Sequence, residues 1–287
     1  MTKTAIITDS NSGITQAEAR SLGISVLPMP FYIDGELFFE DINLTQEDFY
    51  RRLSEDADIK TSQPSPESIM TLWNEALRTH DELVFIPMSS GLSGTCQTAA
   101  MLAREYQGRV RVVDNKRISV TLRQSVMEAK ALAERSFTAA QIGNLLERDG
   151  LEASIYIAVD TLKYLRKGGR VTPAAASLGT LFDIKPVLQI QGGKLDALAK
   201  VRGAHHARTR MLAAIESDLN GRFKGGDVLI HGAYTCSSEE AAVWKREIED
   251  RFPGFDVRLD RLSLSVACHI GPNATAVVCM KKLPEAY

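Results

Sequence analysis

The sequence predicts an α/β protein with two domains, a mostly parallel sheet flanked by helices and then a second α/β domain with a mixed or antiparallel sheet. In the first half, short apolar runs alternate with helical patterns, which is typical of a parallel sheet covered by helices. In the second half, two extended segments straddle Gly192-Gly193, which indicates an antiparallel hairpin. The 287 residues suffice for two modest domains, and we place them at 1–158 and 159–287.

The first domain opens with an apolar run, residues 4–8, which predicts a buried strand ending in a polar loop. Gly23 ends the helix that follows, and Asp34-Gly35 between two apolar runs predicts a hairpin. The predicted strands are 4–8, 24–29, 31–33, 37–39, 83–88 and 110–113. The predicted helices are 15–22, 45–54, 65–79, one beginning near Ser93, 120–135 and 138–149.

The second domain reads differently, because strands and helices no longer alternate regularly. The predicted strand 154–159 leads across the boundary into it. Its other predicted strands are 186–190, 194–200, 228–232, 255–260 and 275–280, and its predicted helices are 204–219 and 238–251. Residues 172–182 start with Pro173 at a first-turn position and continue with small apolar residues on every side. Such a helix is either part of the core or the wall of an apolar cavity.

Composition excludes several classes of protein. The formal net charge of −2 argues against nucleic acid as the main partner, because phosphate binding needs a concentrated basic surface. No apolar run approaches the roughly 20 residues that span a bilayer, and the first residues do not resemble a signal peptide. The four cysteines form no metal-ligand spacing and suit a reducing compartment. We therefore expect a cytoplasmic protein with no stable membrane insertion, no metal and no cofactor.

Three polar loops, residues 9–13, 60–64 and 89–95, follow strands or extended segments. In open parallel sheets, ligands bind beyond the carboxyl ends of the strands. The loops are rich in hydroxyl groups and poor in charge, and the third opens a helix whose free N–H groups suit an anion. The pattern predicts a site for a carboxylate or phosphate. The alternative, that these residues only cap helices and build turns, remains open.

A catalytic alternative uses the same region. Ser93 would be the nucleophile of a hydrolase, with His269 as its base and Asp9 as the group that orients the base. The residues around Ser93 read Gly-Leu-Ser-Gly-Thr, which departs from the G-x-S-x-G spacing of a nucleophile elbow. The spacing therefore counts against the hydrolase hypothesis.

Six segments together resemble the DegV family along the whole chain. They are Ile7-Thr8-Asp9-Ser10, Lys60-Thr61-Ser62-Gln63-Pro64-Ser65-Pro66, Ser89-Ser90-Gly91-Leu92-Ser93-Gly94-Thr95, Tyr164-Leu165-Arg166-Lys167-Gly168-Gly169-Arg170, Ile184-Lys185-Pro186-Val187-Leu188 and His269-Ile270-Gly271-Pro272. Each motif is weak alone, whereas six in the expected order are specific.

The resemblance implies two α/β domains with a long-chain fatty acid between them, and no catalysis by this chain alone. It also implies that some members are the binding subunit of a bacterial fatty acid kinase, whose separate catalytic subunit phosphorylates the bound carboxylate. Carried over by motif, Thr61, Ser62, Ser93 and the Gly94 backbone would hold the carboxylate. Three further residues match positions near the carboxylate or the face that docks the kinase, namely Arg170, Arg202 and His269. A lipid buffer or sensor without a kinase partner remains the alternative.

One position departs from the family pattern. A glycine often follows the Gly-Pro pair of the last motif, and this chain has Asn273 there. Asparagine tolerates the left-handed backbone conformation better than most residues. We therefore expect the turn after His269 to be preserved.

Overall fold

The structure is a computed structural model, and it describes residues 2–177 and 184–287. The chain forms two compact units. The first comprises Met1–Gly150, Ser263–Ser265 and Leu283–Tyr287, and the second comprises Leu151–Leu262 and Val266–Lys282. Each unit therefore combines segments that are distant in sequence.

The first unit contains seven of the described strands and six of the described α-helices. The strands are β1 (Thr4–Asp9), β2 (Ser25–Leu27), β3 (Pro30–Ile33), β4 (Glu36–Phe39), β5 (Ile59–Thr61), β6 (Glu82–Ile86) and β7 (Val110–Val112). The helices are α1 (Gln16–Leu22), α2 (Gln46–Ser54), α3 (Pro66–Ala76), α4 (Thr95–Leu102), α5 (Ser119–Glu134) and α6 (Ala139–Arg148).

Four of these strands form the parallel sheet that the sequence predicts, in the order β2-β1-β6-β7. Every residue of β1 is buried, which is typical of a parallel strand covered on both faces. Trp73 of α3 packs edge-on against Phe85 of β6, with ring centroids 5.7 Å apart. The apolar face of α3 therefore anchors the helix that follows loop 60–64.

The hairpin predicted at Asp34-Gly35 is present and joins β3 to β4. Both turn residues have positive φ, 51° and 87°, as a two-residue hairpin turn requires. The hairpin belongs to a separate antiparallel sheet with the order β4-β3-β5. Strand β5 was not predicted, because its last two residues were assigned to a polar loop.

Two later segments of the chain complete the first unit. The backbone N–H of Leu264 donates to Glu40 at the end of β4, at 2.9 Å. The N–H of Leu283 donates to Glu128 of α5 at 3.0 Å, and Glu285 forms an ion pair with Arg148 at 2.8 Å. Burial raises the pKa of Glu40 to about 8, and the hydrogen bond from Leu264 opposes that rise.

The second unit is built on a six-stranded sheet. Its elements are β8 (Ala153–Ala158), α7 (Lys163–Gly168), α8 (Pro173–Ala176), β9 (Ile184–Ile190), β10 (Asp196–Arg202), α9 (Ala204–Asn220), β11 (Val228–Tyr234), α10 (Ser238–Arg251), β12 (Arg258–Arg261), α11 (Leu264–Ile270) and β13 (Thr275–Lys281). The first residues of α11 lie in the first unit and the remainder lies in the second.

The strand order of this sheet is β10-β9-β8-β13-β11-β12. The pair β9 and β10 is antiparallel, which confirms the hairpin predicted around Gly192-Gly193. Strands β11 and β12 are parallel, and the other neighbouring pairs are antiparallel, so the sheet is mixed as predicted. Trp244 of α10 is fully buried against this sheet and donates its indole N–H to the carbonyl of Ala276 at 2.9 Å.

Three predictions in the second half need correction or restriction. The predicted strand 255–260 is β12, which begins only at Arg258. The short helices α7 and α11 were not predicted. In segment 172–182, α8 covers Pro173–Ala176 and Thr172 caps it by accepting from the N–H of Ala175, while residues 178–182 lie outside the described residues.

Within the part of the chain that the structure describes, no helix has the length and apolar character needed to cross a bilayer. Across residues 2–177 and 184–287, no cluster of three histidine, cysteine, aspartate or glutamate side chains is arranged to hold a metal ion.

Candidate ligand-binding site

The segment after β5 carries the first predicted ligand residues. Thr61 is half-buried at the end of β5, where it lies opposite Phe31 of β3. Ser62 is exposed, and its N–H donates to the carbonyl of Pro30 at 3.2 Å. Its hydroxyl donates to the carbonyl of Gln63 at 3.2 Å. The structure therefore uses Ser62 to shape the loop, and Thr61 ends the strand beside it.

Ser93 lies just before the first turn of α4. Its Oγ is 2.9 Å from Oγ1 of Thr95 and accepts from the N–H of Thr95 at 3.2 Å. Its own N–H donates to the carbonyl of Ser89 at 3.2 Å. Gly94 occupies the cap position of α4, which has no side-chain cap. A row of hydroxyl and backbone donors therefore surrounds the start of this helix.

The two loops meet at Gly94. A Cβ atom built on Gly94 would lie 2.8 Å from Oε1 of Gln63, closer than such atoms approach in real proteins. The same Oε1 is 3.4 Å from the hydroxyl of Thr98, one turn into α4. Because Gly94 has no side chain, loop 60–64 can pack directly onto the start of α4. Gln63 and Thr95 were not predicted as site residues, although both lie within the recognised motifs.

The first polar loop has a structural use. One oxygen of Asp9 accepts from the N–H of Met88 at 3.0 Å, and the other accepts from Asn11. The carboxyl group thus joins the ends of β1 and β6. Burial raises its pKa to about 6, against the lowering effect of the hydrogen bonds from Met88 and Asn11. The hydroxyl of Ser10 accepts from the N–H of Met29 at 3.1 Å.

The hydrogen bonds of Ser93 and Asp9 argue against the hydrolase hypothesis. The hydroxyl of Ser93 is engaged with Thr95, and both oxygens of Asp9 are engaged with a strand end and a turn. Neither arrangement pairs a nucleophile or a carboxylate with an imidazole, as a catalytic triad requires.

Cations close to the loops are already paired. Lys116 forms an ion pair with Asp114 and donates to the hydroxyl of Ser90 at 2.6 Å. Lys60 forms an ion pair with Asp58 at 2.5 Å. The ammonium groups of these two lysines therefore each have a carboxylate partner already.

In the second unit, the structure brings Arg170 and His269 together. The Arg170 guanidinium donates to the carbonyl of Gly168, the last residue of α7. Burial and then the positive charge of Arg170 lower the pKa of His269 to about 4, so its imidazole is neutral at neutral pH. A Cβ atom on Gly168 would lie 3.0 Å from Cε1 of His269 and closer still to Nδ1. The lack of a side chain on Gly168 therefore lets α7 pack against the imidazole.

The turn after His269 is held from three sides. The hydroxyl of Thr235 donates to the carbonyl of Gly271 at 2.7 Å. The ring of Tyr164 packs so closely on Gly271 that a Cβ there would lie 2.6 Å from it. Asn273 has a φ of 59°, in the left-handed region. Its amide donates to Asp160 at 3.0 Å, a bond that a glycine could not make.

Among the described contacts of Arg170 and His269, none involves Arg202. It is the last residue of β10, and its side chain is exposed. Its carbonyl accepts from Nδ1 of His206 in the first turn of α9, at 2.9 Å. The structure thus places its guanidinium at the surface next to the start of α9.

Comparison with known proteins identifies what this chain resembles. A family model described as an uncharacterised protein of the DegV family matches residues 3–282. A DegV domain-containing protein of Deinococcus radiodurans is 32% identical over 275 residues, covering 95% of this chain and 96% of the relative.

Solved structures give the same result for the fold. A DegV family protein from Thermus thermophilus, described for its fatty acid binding, superposes with a TM-score of 0.88 at 29% identity, covering 97% of this chain and 99% of that one. The fatty acid binding DegV family protein of Streptococcus agalactiae superposes with a TM-score of 0.87 at 25% identity, covering 98% and 100% of the two chains. The α/β fold expected from the motifs is confirmed.

Proposed function

This chain belongs to the DegV family, and from that membership we infer that it binds one long-chain fatty acid. We further propose that Thr61, Ser62, Ser93 and the Gly94 backbone hold the carboxylate. The observation that carries the proposal is the contact of Gln63 with Gly94, which joins both hydroxyl-rich loops at the start of α4.

The chemistry of these donors suits a carboxylate that must remain reactive. Hydroxyl and N–H groups satisfy an anion through directed hydrogen bonds without neutralising it as an ion pair would. The ammonium groups of Lys60 and Lys116 are paired with aspartates. The carboxylate oxygens would then keep their nucleophilic character.

The acyl chain supplies most of the binding free energy. Burying about 15 methylene groups contributes on the order of 12 kcal/mol before costs. Immobilising the chain and the ligand offsets part of this gain. Burying the carboxylate without hydrogen bonds would offset much of the remaining binding free energy. The hydrogen-bond donors are therefore necessary.

We propose that the bound carboxylate is presented to a separate kinase subunit in the cytoplasm, and that this chain is not catalytic alone. A carboxylate oxygen attacks the γ-phosphorus of ATP, the bond to the β-phosphate oxygen breaks, and acyl phosphate and ADP result. Arg170, Arg202 and His269 would serve this step or the docking of the kinase. The exposed guanidinium of Arg202 and the neutral imidazole of His269 support roles in recognition.

The first experiment is native mass spectrometry of the purified chain, followed by organic extraction of any bound molecule. We expect one fatty acid per chain. In a binding assay with oleate, Thr61→Ala combined with Ser93→Ala should weaken affinity by about tenfold or more, since two hydrogen bonds to a charged group are lost. The matched control is Ser54→Ala with Thr79→Ala, two exposed hydroxyl residues outside the loops.

Two outcomes would overturn these proposals separately. A protein that is purified empty and takes up neither oleate nor palmitate would end the fatty-acid proposal. The kinase proposal would end if His269→Ala and Arg202→Ala formed acyl phosphate at the wild-type rate with a purified kinase subunit and ATP. Oleate affinity is measured in parallel, so that loss of ligand and loss of phosphoryl transfer are distinguished.

A further inference from the structure

Three exposed apolar side chains gather on one surface of the first unit. Tyr32, Leu37 and Ile42 are 41%, 45% and 61% exposed, and they belong to β3, β4 and the loop after β4. All three line one groove with a volume of about 820 Å³. A contiguous apolar patch on the surface of a folded protein often marks a site of interaction with another molecule.

The groove runs between the β3–β4 hairpin and α3. Its remaining apolar lining includes Leu27, Phe39 and Leu72, together with prolines from the flanking loops. All the lining residues belong to the first unit, and Thr61, Ser93 and Gly94 are not among them. The groove therefore shares Ser62 and Gln63 of loop 60–64 with the proposed carboxylate site, but not Thr61, Ser93 or Gly94.

The charge of the groove restricts what can occupy it. Glu67 and Glu75 line one side, and no lysine, arginine or histidine belongs to the lining. Among the residues that the structure describes, neither glutamate has an ion-pair partner. Two unneutralised carboxylates repel a fatty acid headgroup and an anionic membrane surface. They also oppose pairing with the same groove of a second copy, and they attract lysine or arginine.

The spacing of the glutamates indicates the shape of the partner. They are eight residues apart on α3, which is about 12 Å along the helix axis. A second helix lying beside α3 would meet both with basic residues two turns apart, while its apolar face filled the space against Leu37 and Ile42. Helices bind apolar grooves in this way through residues at intervals of three, four and seven positions.

We propose that this groove is a docking site for an amphipathic helix of a protein partner, with an apolar face flanked by lysine or arginine. The site does not depend on the fatty-acid proposal.

The test uses a helical peptide of leucine and lysine as the probe, titrated against the full chain and monitored by calorimetry. We expect binding that weakens with added salt and that weakens about tenfold, or about 1.4 kcal/mol, in two separate variants. One variant is Leu37→Ser with Ile42→Ser, and the other is Glu67→Gln with Glu75→Gln. The matched control is Met101→Ser with Leu151→Ser, two apolar residues outside the groove that are 64% and 54% exposed.

Hydrogen exchange with the bound peptide should protect the hairpin and α3. The proposal is overturned if the groove variants bind the peptide as tightly as the wild type, or if a leucine–glutamate peptide binds equally well. It is also overturned if the chain dimerises in light scattering and Leu37→Ser with Ile42→Ser abolishes the dimer, or if vesicles of anionic phospholipid bind more tightly than the peptide.

Discussion

The imidazole of His269 occupies the space in which a side chain at residue 168 would stand. A Cβ atom on Gly168 would lie 3.0 Å from Cε1 of His269, and Nδ1 is closer still. The contact joins α7 to the end of α11. Both residues belong to the second unit, so the arrangement is internal to that unit.

Gly168→Ala should therefore displace the imidazole. Overpacking at a close contact lowers the free energy of unfolding by about 1–3 kcal/mol. We expect this loss in urea unfolding, together with a changed chemical shift of the His269 ring protons in NMR spectra. Gly193→Ala is the control, because no atom lies within 4 Å of a Cβ built there. Equal unfolding midpoints for the two variants would show that the ring does not depend on the glycine.

Asn273 should stabilise the His269 turn by two separable effects. Asn273→Gly keeps the left-handed conformation and loses the hydrogen bond to Asp160, which should cost about 1 kcal/mol. Asn273→Ala adds the strain of a side chain in that conformation, about 1 kcal/mol more. A double-mutant cycle of Asn273→Gly with Asp160→Ala should give a coupling of at least about 0.5 kcal/mol. A coupling of zero would mean that the hydrogen bond does not contribute in solution.

Gly94→Ala should weaken oleate binding through Gln63. The new methyl group would press on Oε1 of Gln63, which is 2.8 Å from the Cβ position. We expect a loss of about tenfold in affinity, and recovery of most of it in Gly94→Ala with Gln63→Ala, because the colliding group is then absent. Gln97→Ala, on an exposed residue of α4, is the matched control. If the double variant bound oleate as weakly as Gly94→Ala, the loss of affinity would not be caused by the collision with Gln63.

Glu40 should make stability depend on pH in the neutral range. Burial raises its pKa from 4.5 to about 8, so the folded state holds the proton more tightly than the unfolded state does. The resulting stabilisation is complete below pH 4.5 and is lost as the pH rises through about 8. Glu40→Gln keeps an acceptor for the N–H of Leu264 but does not titrate.

The measurement is the difference in free energy of unfolding between wild type and Glu40→Gln across that range. We expect the wild type to lose on the order of 1–3 kcal/mol relative to the variant as the pH rises from 5 to 8. Glu36→Gln, on an exposed residue of the same hairpin, is the matched control. A constant difference for Glu40→Gln would show that its carboxyl group titrates normally.

Local patterns were sufficient to predict most of the first unit. The apolar runs around Ile7 and Phe85 are long enough to predict buried strands, and Asp34-Gly35 identifies its hairpin directly. Strand β5 was missed because Lys60 and Thr61, its last two residues, are polar and continue into Ser62-Gln63-Pro64. Its pairing with β3 stabilises it, and that pairing is not visible from the local sequence.

The sequence predicted individual residues of the candidate site, but not the contacts between them. The motifs identified Ser93 and His269, but the close contacts at Gly94 and Gly168 depend on residues far apart in sequence. The N–H of Leu264, the first residue of helix α11, donates to Glu40, more than 200 residues earlier in the sequence. Long-range contacts of this kind have no counterpart in a periodicity or a turn motif.

The late segments that complete the first unit have a consequence for biosynthesis. Glu128 and Arg148 emerge from the ribosome long before Leu283 and Glu285, their hydrogen-bond and ion-pair partners. The first unit cannot finish folding while the second is still being translated, although most domains fold in the order of their synthesis. A nascent chain that ends before residue 264 would lack the N–H of Leu264 that donates to the buried Glu40, so its first unit would be incomplete.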